Sequence, residues 1–456
     1  MRISRRDFGL LGMGSLAFAG FAKAAAADGG YVNQAKGYGD LRPDRGGLLD
    51  LPEGFSYQVI SSAGERMDDG FVTPDKFDGM ACFPLGSSRV ALVRNHELKP
   101  SERSLGPTGG LERLERAIAA KPFYGADSEG RALPGGTSTI VYDTARGRRE
   151  SVYLSLAGTA VNCAGGPTPW GSWLSCEETN LAAPDVAKSH GWVFEVPASA
   201  NGLAAPVPLT AMGRFRHEAA AVDPRTGIVY LTEDRDDSLL YRFLPRKAGG
   251  LAQGGRLQAM AFVGGLQDTR NWSGTAFPAG STRPVRWIDM EDTDSPKDDL
   301  RLRGAAAGAA IFARGEGIHR GRDDFYFTCT SGGAAKIGQI MRYVPSASEG
   351  RADEAKAPGT LQNFVESASS ALLDYGDNLT VAPWGHLIVC EDRSGSARNY
   401  LRGVSPDGRV YAIARLMVDT ELAGACFSPD GKTLFLNVYH PGRTLAITGP
   451  WASVRT

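Results

Sequence analysis

The clearest pattern of apolar and polar positions lies in residues 217–235. Small apolar residues follow Glu218, a polar turn occupies 223–227, and β-branched and aromatic residues at 228–231 lead to Glu233. Pro and Gly in a short polar centre between two apolar runs predict a β-hairpin. Such a hairpin brings Glu218 and Glu233 to its open end, where the like charges repel each other. A nearby cation would offset that repulsion.

The same pattern recurs along the chain. Each copy has an apolar run, a turn, a second apolar run and a polar or acidic end. The copies span residues 78–97, 162–178, 217–235, 314–333, 377–393 and 421–440. The spacing leaves room for two more strands per copy, such as 239–243 and 409–413. Four antiparallel strands repeated radially form a β-propeller, so the sequence predicts an all-β, six-bladed β-propeller.

A β-sandwich is the competing all-β interpretation. It does not explain why acidic residues recur at the same end of every hairpin, whereas the blades of a propeller can direct those ends into a central channel. Residues 111–118 predict one of a few short helical insertions, and 135–143 predict a strand. A longer insertion, 246–310, could cover the channel or lie outside it. Residues 27–456 are expected to form a single catalytic propeller domain.

Composition and charge exclude several classes of protein. The chain has 456 residues, 58 Gly, 26 Pro and 22% charged residues, which is typical of a turn-rich globular protein. Its formal net charge of -1 offers no basic surface for nucleic acid. Six Cys in this length do not form a disulfide scaffold. A monomer is expected.

The N-terminus predicts a twin-arginine signal peptide over residues 1–26. Arg5 and Arg6 precede an apolar run at 9–21 and then small residues suited to cleavage. The run is too short to span a bilayer comfortably, and the absence of Cys near the cleavage point argues against a lipid anchor. We therefore expect the twin-arginine machinery to export the folded chain to the periplasm or beyond, without a stable membrane anchor. This route suits a protein that loads a metal first.

Carboxylates and amides gather at the predicted open ends of the hairpins. The sets are Glu97 with Asp78, Cys176 and Glu177 with Asn162, Glu218 with Glu233, Glu316 with Thr330, and Glu391 with Asp377 and Asn378. A thiolate suits a transition metal, whereas carboxylates and an amide carbonyl suit Ca²⁺. The sequence therefore predicts a central site that combines both kinds of metal.

The cysteines differ in their surroundings. Cys176 precedes Glu177 at a strand end and is the preferred metal ligand, while Cys390 could equally belong to the core. The remaining cysteines, Cys82, Cys163, Cys329 and Cys426, are predicted to be small core residues. His96 and His217 adjoin ligand candidates and could serve only to orient them.

Three arginines could contact an anionic substrate. Arg314 lies two residues before Glu316 and would point toward the same centre. A guanidinium beside bound metals can hold phosphoryl oxygens bidentately. Arg393 and Arg235 each follow an acidic pair; we expect Arg393 to bind substrate, and Arg235 is better explained by a salt bridge with its acidic neighbours.

As a set, these motifs resemble those of the PhoX-type alkaline phosphatases. The resemblance covers nearly all of the mature chain and uses the twin-arginine leader together with RNHE at 94–97, GGT at 135–137, CEE at 176–178, RHEA at 216–219, RGE at 314–316, DNL at 377–379 and CED at 390–392. It implies a six-bladed propeller with two ferric ions and Ca²⁺ that hydrolyses phosphate esters outside the cytoplasm.

The resemblance also implies roles for individual residues. Cys176, Glu218 and Glu316 would bind iron. Glu177, Asn378 and Glu391 would bind the cluster or its Ca²⁺ ions. Arg314 would bind phosphate. Residues expected to support these ligands are Asn95, Glu97, His217, Glu233 and Asp377.

The predicted mechanism is metal-assisted hydrolysis of small phosphate esters. Metals would neutralise the phosphate and activate the attacking oxygen, and Arg314 would stabilise transition-state charge, with Glu316 as the second catalytic residue. A Ca²⁺-dependent lactonase or phosphotriesterase is one alternative. Another is a non-catalytic binding module pinned by metal. The choice between mono- and diesters stays open.

Overall fold

The computed structural model describes residues 30–395 and 398–454. Within these ranges the chain is almost entirely β, with α1 (Glu112–Ala119) and α2 (Leu300–Ala306) as its α-helices. No helix in the described ranges is long and apolar enough to cross a membrane. The predicted signal peptide, residues 1–26, lies outside the described residues.

The first strands of the chain either join sheets formed by later segments or form sheets with one another. Three N-terminal strands complete sheets formed by later segments: β1 (Leu41–Arg42), β2 (Leu49–Pro52) and β3 (Ser56–Ser62). A four-stranded antiparallel sheet follows: β4 (Phe77–Pro84), β5 (Arg89–His96), β6 (Gly135–Asp143) and β7 (Arg148–Thr159). Next comes a three-stranded sheet: β8 (Asn162–Pro167), β9 (Ser172–Glu177) and β10 (Val193–Pro197). Helix α1 lies between β5 and β6, where a helical insertion was predicted.

The middle of the chain forms one nine-stranded sheet. Its first part contains β11 (His217–Val222), β12 (Val229–Glu233), β13 (Tyr241–Pro245), β14 (Gly255–Phe262) and β15 (Thr282–Met290). Its second part contains β16 (Gly315–Arg320), β17 (Phe325–Cys329), β18 (Gln339–Val344) and β19 (Thr360–Glu366). The two parts meet where β15 pairs with β19. The insertion at 246–310 therefore supplies β14 and β15, at the edge of the first part that is farthest from β11.

The last strands of the chain share two sheets with the N-terminal strands. A six-stranded sheet combines β1 and β2 with β20 (Gly376–Val381), β21 (Leu387–Glu391), β22 (Tyr400–Val404) and β23 (Val410–Leu416). A four-stranded sheet combines β3 with β24 (Leu422–Phe427), β25 (Thr433–Val438) and β26 (Arg443–Thr448).

The innermost strands form a closed ring. Each one packs against the next, in the order β4, β8, β11, β16, β20, β24 and back to β4. The predicted all-β, propeller-like architecture is confirmed. Six separate blades are not observed, because residues 282–284 of β15 hydrogen-bond with residues 360–362 of β19 and fuse two units into the nine-stranded sheet. The hydrogen bonding thus gives four smaller sheets and one large one.

The N-terminal segment closes the ring. Strand β3 pairs with β26 from Ser56↔Thr448 to Ser62↔Arg443, so the start of the chain completes its last sheet. Phe55 then packs edge-on against Tyr38 and Trp451, with ring centroids 4.9 and 4.7 Å apart. Aromatic contacts of this kind add to the free energy gained by burying the rings.

A buried ionic network links the two parts of the nine-stranded sheet. Glu349, which follows β18, accepts hydrogen bonds from Arg242 Nη1 at 2.6 Å, Tyr230 at 3.0 Å and Tyr343 at 2.8 Å. The Arg242 and Glu349 side chains are only 3% and 1% exposed. A second carboxylate, Glu354, completes the network with two bonds to the same guanidinium.

Replacing Glu349 with Ala should destabilise the protein strongly. The substitution leaves two tyrosine hydroxyls without their acceptor and weakens the pairing of a buried guanidinium, which costs about 3 kcal/mol. Urea unfolding measures this change. The matched control is Glu112→Ala, which removes an exposed ion pair with Arg116 and should change the free energy of unfolding by less than about 0.5 kcal/mol. Equal effects of the two substitutions would contradict the prediction.

Candidate metal centre

The inner hairpins share an irregularity near their open ends. In the first hairpin, Phe77 pairs with His96, and the next pair is Met80 with Arg94. Two residues of β4 therefore oppose one residue of β5, which is a β-bulge. A bulge interrupts the strict alternation of side chains and re-aims the first extra residue, Asp78.

Four further inner strands carry the same bulge. The register shifts lie between Asn162 and Gly165, His217 and Ala220, Gly315 and Ile318, and Gly376 and Leu379. In β24 the shift comes one residue later. The first extra residues of the five strands are Asp78, Cys163, Glu218, Glu316 and Asp377. We call these five residues the bulge ring, because the inner strands that carry them surround the channel.

A second set of carboxylates follows the neighbouring strands. Strands β5, β9, β12 and β21 each end at a residue that pairs with the first residue of an inner strand. The residue after each of these strands is acidic: Glu97 after β5, Glu178 after β9, Asp234 after β12 and Asp392 after β21. Their charges act on the bulge ring: Glu97 raises the pKa of Asp78, and Asp234 raises that of Glu316, in both cases after the larger effect of burial.

Two groups of side chains are arranged to hold metal ions. One oxygen or sulfur atom from each of Cys163, Glu178 and Glu218 lies within 4.8 Å of the others, and the same holds for Glu218, Glu316 and Asp377. Glu218 belongs to both groups. Both of its carboxylate oxygens are buried and have no hydrogen-bond partner among the described residues. The donor sets fit the metals that the sequence predicted, because a thiolate suits a transition metal and carboxylates suit a hard cation.

The electrostatics of the bulge ring favour the binding of cations. Burial and then the charges of Glu316 and Asp377 raise the pKa of Glu218 well above its usual range. Burial, followed by neighbouring carboxylates, also raises the pKa of Asp377 to about 7 and that of Glu178 to about 8. Like charges held this close disfavour ionisation, and a metal ion reverses that preference.

Arg314 is the cation attached to this ring. Its Nη2 donates to Glu316 Oε1 at 2.6 Å, and its Nε donates to Asp234 Oδ1 at 2.8 Å. The residue has a φ of 53°, in the left-handed region. Glu316 is the main cause of the raised pKa of Arg314, so the guanidinium stays charged. Arg314 therefore lies where the sequence predicted it, beside the carboxylates.

Cys176 lies elsewhere. Its position in β9 is opposite the bulge of β8, and its side chain packs in an apolar cluster with Leu174, Val193 and Phe215. Burial raises the pKa of the Cys176 thiol and also that of Cys163, so the apolar surroundings of Cys176, and not its pKa, set it apart. The thiol beside the carboxylates belongs to Cys163, which the sequence placed in the core. The two assignments are exchanged because the bulge directs Cys163 into the channel.

Three predicted carboxylates also point away from the ring. Glu177 accepts hydrogen bonds from His190 Nδ1 at 2.6 Å and from backbone N–H groups of loop residues. Glu391 accepts from Arg402 Nε at 2.7 Å, and burial raises its pKa to about 7. Glu233 accepts from Tyr241 at 3.1 Å, and burial raises its pKa to about 8. In each case the residue that follows belongs to the second set of carboxylates. These residues are Glu178, Asp392 and Asp234.

The remaining predicted residues support the ring. Asn378 is the second extra residue of its bulge; its Oδ1 accepts from Gly424 N at 3.0 Å and its Nδ2 donates to Asp377 at 3.2 Å. His217 Nε2 donates to Gly213 O at 2.8 Å, its ring stacks on Phe215, and burial lowers its pKa to about 3. Asp377, predicted as a supporting residue, belongs to the ring itself. Arg393 lies at the mouth, where its Nη1 donates to Asp374 at 2.6 Å.

Three of the residues opposite the bulges, together with Asn437 of the last hairpin, act as clasps between neighbouring hairpins. Each donates a hydrogen bond to the carbonyl of a bulge-ring residue on the next inner strand. The bonds run from Asn95 to Cys163 at 3.1 Å, from Thr232 to Glu316 at 2.5 Å, from Thr328 to Asp377 at 2.6 Å and, in the last hairpin, from Asn437 to Asp78 at 2.6 Å. The sequence motifs pointed to Asn95 but not to Thr232, Thr328 and Asn437. Aligning the hairpins by position would have revealed them as recurrent polar residues inside apolar strands.

Comparisons with known proteins agree with this architecture. The family described as Alkaline phosphatase PhoX matches residues 36–442. The structure of Pseudomonas fluorescens PhoX in complex with vanadate, a transition state analogue, has 20% identity and a TM-score of 0.65, covering 92% of this chain and 98% of that one. A gluconolactonase from Xanthomonas campestris has 12% identity and a TM-score of 0.39, covering 92% of this chain and 100% of that one. No curated protein sequence matches the chain.

Replacing Cys163 and Cys176 by Ser, one at a time, tests the metal centre. Cys163→Ser should lose most of the bound transition metal, because a hydroxyl is a poor substitute for a thiolate. Cys176→Ser should keep it, because that thiol lies in the apolar cluster. Elemental analysis of both purified variants measures the metal content. The assignment would be contradicted if Cys176→Ser lost the metal while Cys163→Ser kept it.

The clasps should affect both stability and metal content. Thr232→Val keeps the shape of the side chain but removes the hydrogen bond to Glu316 O, so stability should fall by about 1–2 kcal/mol. Glu316 is then held less firmly, and the metal content should fall as well. Thr232→Ser restores the hydroxyl and should recover both. A fall in stability with no change in metal content would show that the clasp does not position the ligand.

Proposed function

The chain belongs to the PhoX family of alkaline phosphatases, and we propose that it hydrolyses small phosphate monoesters at a centre of several metal ions in its channel. Membership of this family makes it a phosphoric ester hydrolase. The observation that carries the proposed centre is the pair of ligand groups that share Glu218, whose two oxygens are buried and unpaired within the described residues.

We assign the metals by the chemistry of the side chains. One iron ion would be held by Cys163, Glu178 and Glu218, because a thiolate accompanies the carboxylates there. A second would be held by Glu218, Glu316 and Asp377. The remaining carboxylates of the channel suit Ca²⁺: Asp78, Glu97, Asp392 and Glu421. Burial and neighbouring charges raise the pKa of Glu421 as they do for the bulge ring. When bound, the ions would neutralise the phosphate and lower the pKa of the attacking water.

The protein side chains would bind and orient the ester. Arg314 offers guanidinium N–H groups beside the ring and would hold a non-bridging phosphoryl oxygen as negative charge develops. Asp234 fixes the plane of that guanidinium through bonds of 2.8 and 3.2 Å. Glu316 would couple the two parts of the site, because it faces Arg314 and the metal group alike. Burial of these groups strengthens each electrostatic contact.

We further infer that the propeller has six blades, with the nine-stranded sheet representing two blades joined at their outer edges. The closed ring of inner strands supports this interpretation. The leader supports export by the twin-arginine route and function in the periplasm or outside the cell. We expect the exported protein to be a monomer. The lactonase alternative has little support, because the gluconolactonase likeness has a TM-score below 0.5.

Replacing Glu316 with Gln should abolish phosphatase activity. The amide removes a negative ligand from the metal group and weakens the hold on Arg314, so kcat/KM for p-nitrophenyl phosphate should fall about a hundred-fold or more. Bound metal should fall in parallel. Glu112→Gln, on the exposed face of α1, is the matched control and should retain normal activity and metal. Normal hydrolysis by the Glu316 variant would disprove the site.

A further inference from the structure

A cavity of about 240 Å³ opens beside the bulge ring. It lies at the ends of three strands: Arg314 precedes β16, Tyr375 precedes β20, and residues 392–394 follow β21. It is lined by two arginines, a tyrosine, an aspartate and a serine: Arg314, Arg393, Tyr375, Asp392 and Ser394.

The cavity shares a wall with the proposed catalytic site. Arg314 contacts Glu316 at 2.6 Å, and the charge of Asp392 acts on Asp377 in the bulge ring. A phosphoryl group held by Arg314 at the ring therefore has this cavity next to it. The rest of the ester, which becomes the leaving group, would occupy that space.

Arg393 is fixed at the far wall. Its backbone N–H donates to Asn399 Oδ1 at 2.8 Å, and its carbonyl accepts from Asn399 Nδ2 at 3.1 Å. Its Nη1 donates to Asp374 at 2.6 Å, and its side chain is 39% exposed. Among the described residues, the Nε and Nη2 groups have no acceptor. The guanidinium is thus held in place with part of its donor capacity unused by the described residues.

Tyr375 lines the cavity beside Arg393. The Arg393 guanidinium lies 5.8 Å from the centre of its ring. Tyr375 has a φ of 51° and Arg314 a φ of 53°, both in the left-handed region that non-glycine residues seldom adopt. Such strain persists where surrounding structure imposes it, and it is frequent at ligand sites.

We propose that this cavity receives the leaving group and that Arg393 selects phosphate esters whose leaving group carries a second anionic group, a carboxylate or a second phosphate. This inference rests on the proposed function. An anionic group would accept charge-assisted hydrogen bonds from the free N–H groups of Arg393, whereas a neutral alcohol would make only weaker ones. Bonds to a charged group of this kind correspond to about ten-fold or more in kcat/KM.

Two substrates that differ only in this charge test the proposal. In 3-phosphoglycerate a carboxylate replaces the CH2OH group of glycerol 3-phosphate. Release of phosphate from each would be measured with the metal-loaded enzyme, and p-nitrophenyl phosphate would report general activity. The wild type should prefer 3-phosphoglycerate by about ten-fold or more in kcat/KM. Arg393→Gln should remove that preference, and Arg393→Lys should keep part of it, because the charge remains.

The control and the contrary outcomes are distinct. Arg322→Gln changes an arginine whose side chain is 97% exposed in the β16–β17 turn, and it should keep the wild-type preference. Equal kcat/KM for the two matched esters, or a preference unchanged in Arg393→Gln, would overturn the inference while leaving the proposed function intact. A strong preference for p-nitrophenyl phosphate that Tyr375→Ala removes would also overturn it, in favour of an aromatic leaving group. No hydrolysis of any ester would overturn the proposed function itself.

Discussion

The repulsion among buried carboxylates is the constraint on which the rest of this structure depends. Glu218, Glu316 and Asp377 converge in a small volume, and burial raises the pKa of each. Arg314 offsets only part of this charge. Cations bound among these groups would offset the repulsion, and the same cations would supply the charge that phosphate hydrolysis needs. Stability and chemistry would then be coupled at one site.

A local backbone feature creates this concentration of charge. Regular strands would send neighbouring side chains to opposite faces, but the bulges aim one residue of each of five inner strands into the channel. The clasps hold that geometry: Thr232 and Thr328 each bond the carbonyl of a ring residue on the next strand. The site is thus built on paired backbone, which positions ligands more precisely than mobile loops do.

The rim above the ring follows the same repeat. The residue just before an inner strand has a φ between 51° and 53° at Lys76, Val161, Arg314 and Tyr375. This shared conformation turns the chain sharply into the strand. Two of the four residues, Arg314 and Tyr375, line the cavity proposed for the leaving group. Substrate recognition and metal binding would therefore use successive positions of one repeated unit.

The sequence by itself determined the repeated hairpins, the all-β class and the accumulation of acid at one end of each hairpin, because turn residues and apolar runs are local signals. It also predicted Glu218, Glu316 and Arg314 as site residues, and the structure brings these three together. Only the tertiary structure decided which member of each acidic pair faces the channel. A bulge in β8 brings Cys163, and not Cys176, beside the carboxylates. Glu177, Glu233 and Glu391 are the last paired residues of their strands and bond to the protein, whereas the residues that follow them act on the bulge ring. The fused nine-stranded sheet could not be predicted from the sequence either, since the pairing of β15 with β19 joins residues far apart in the chain.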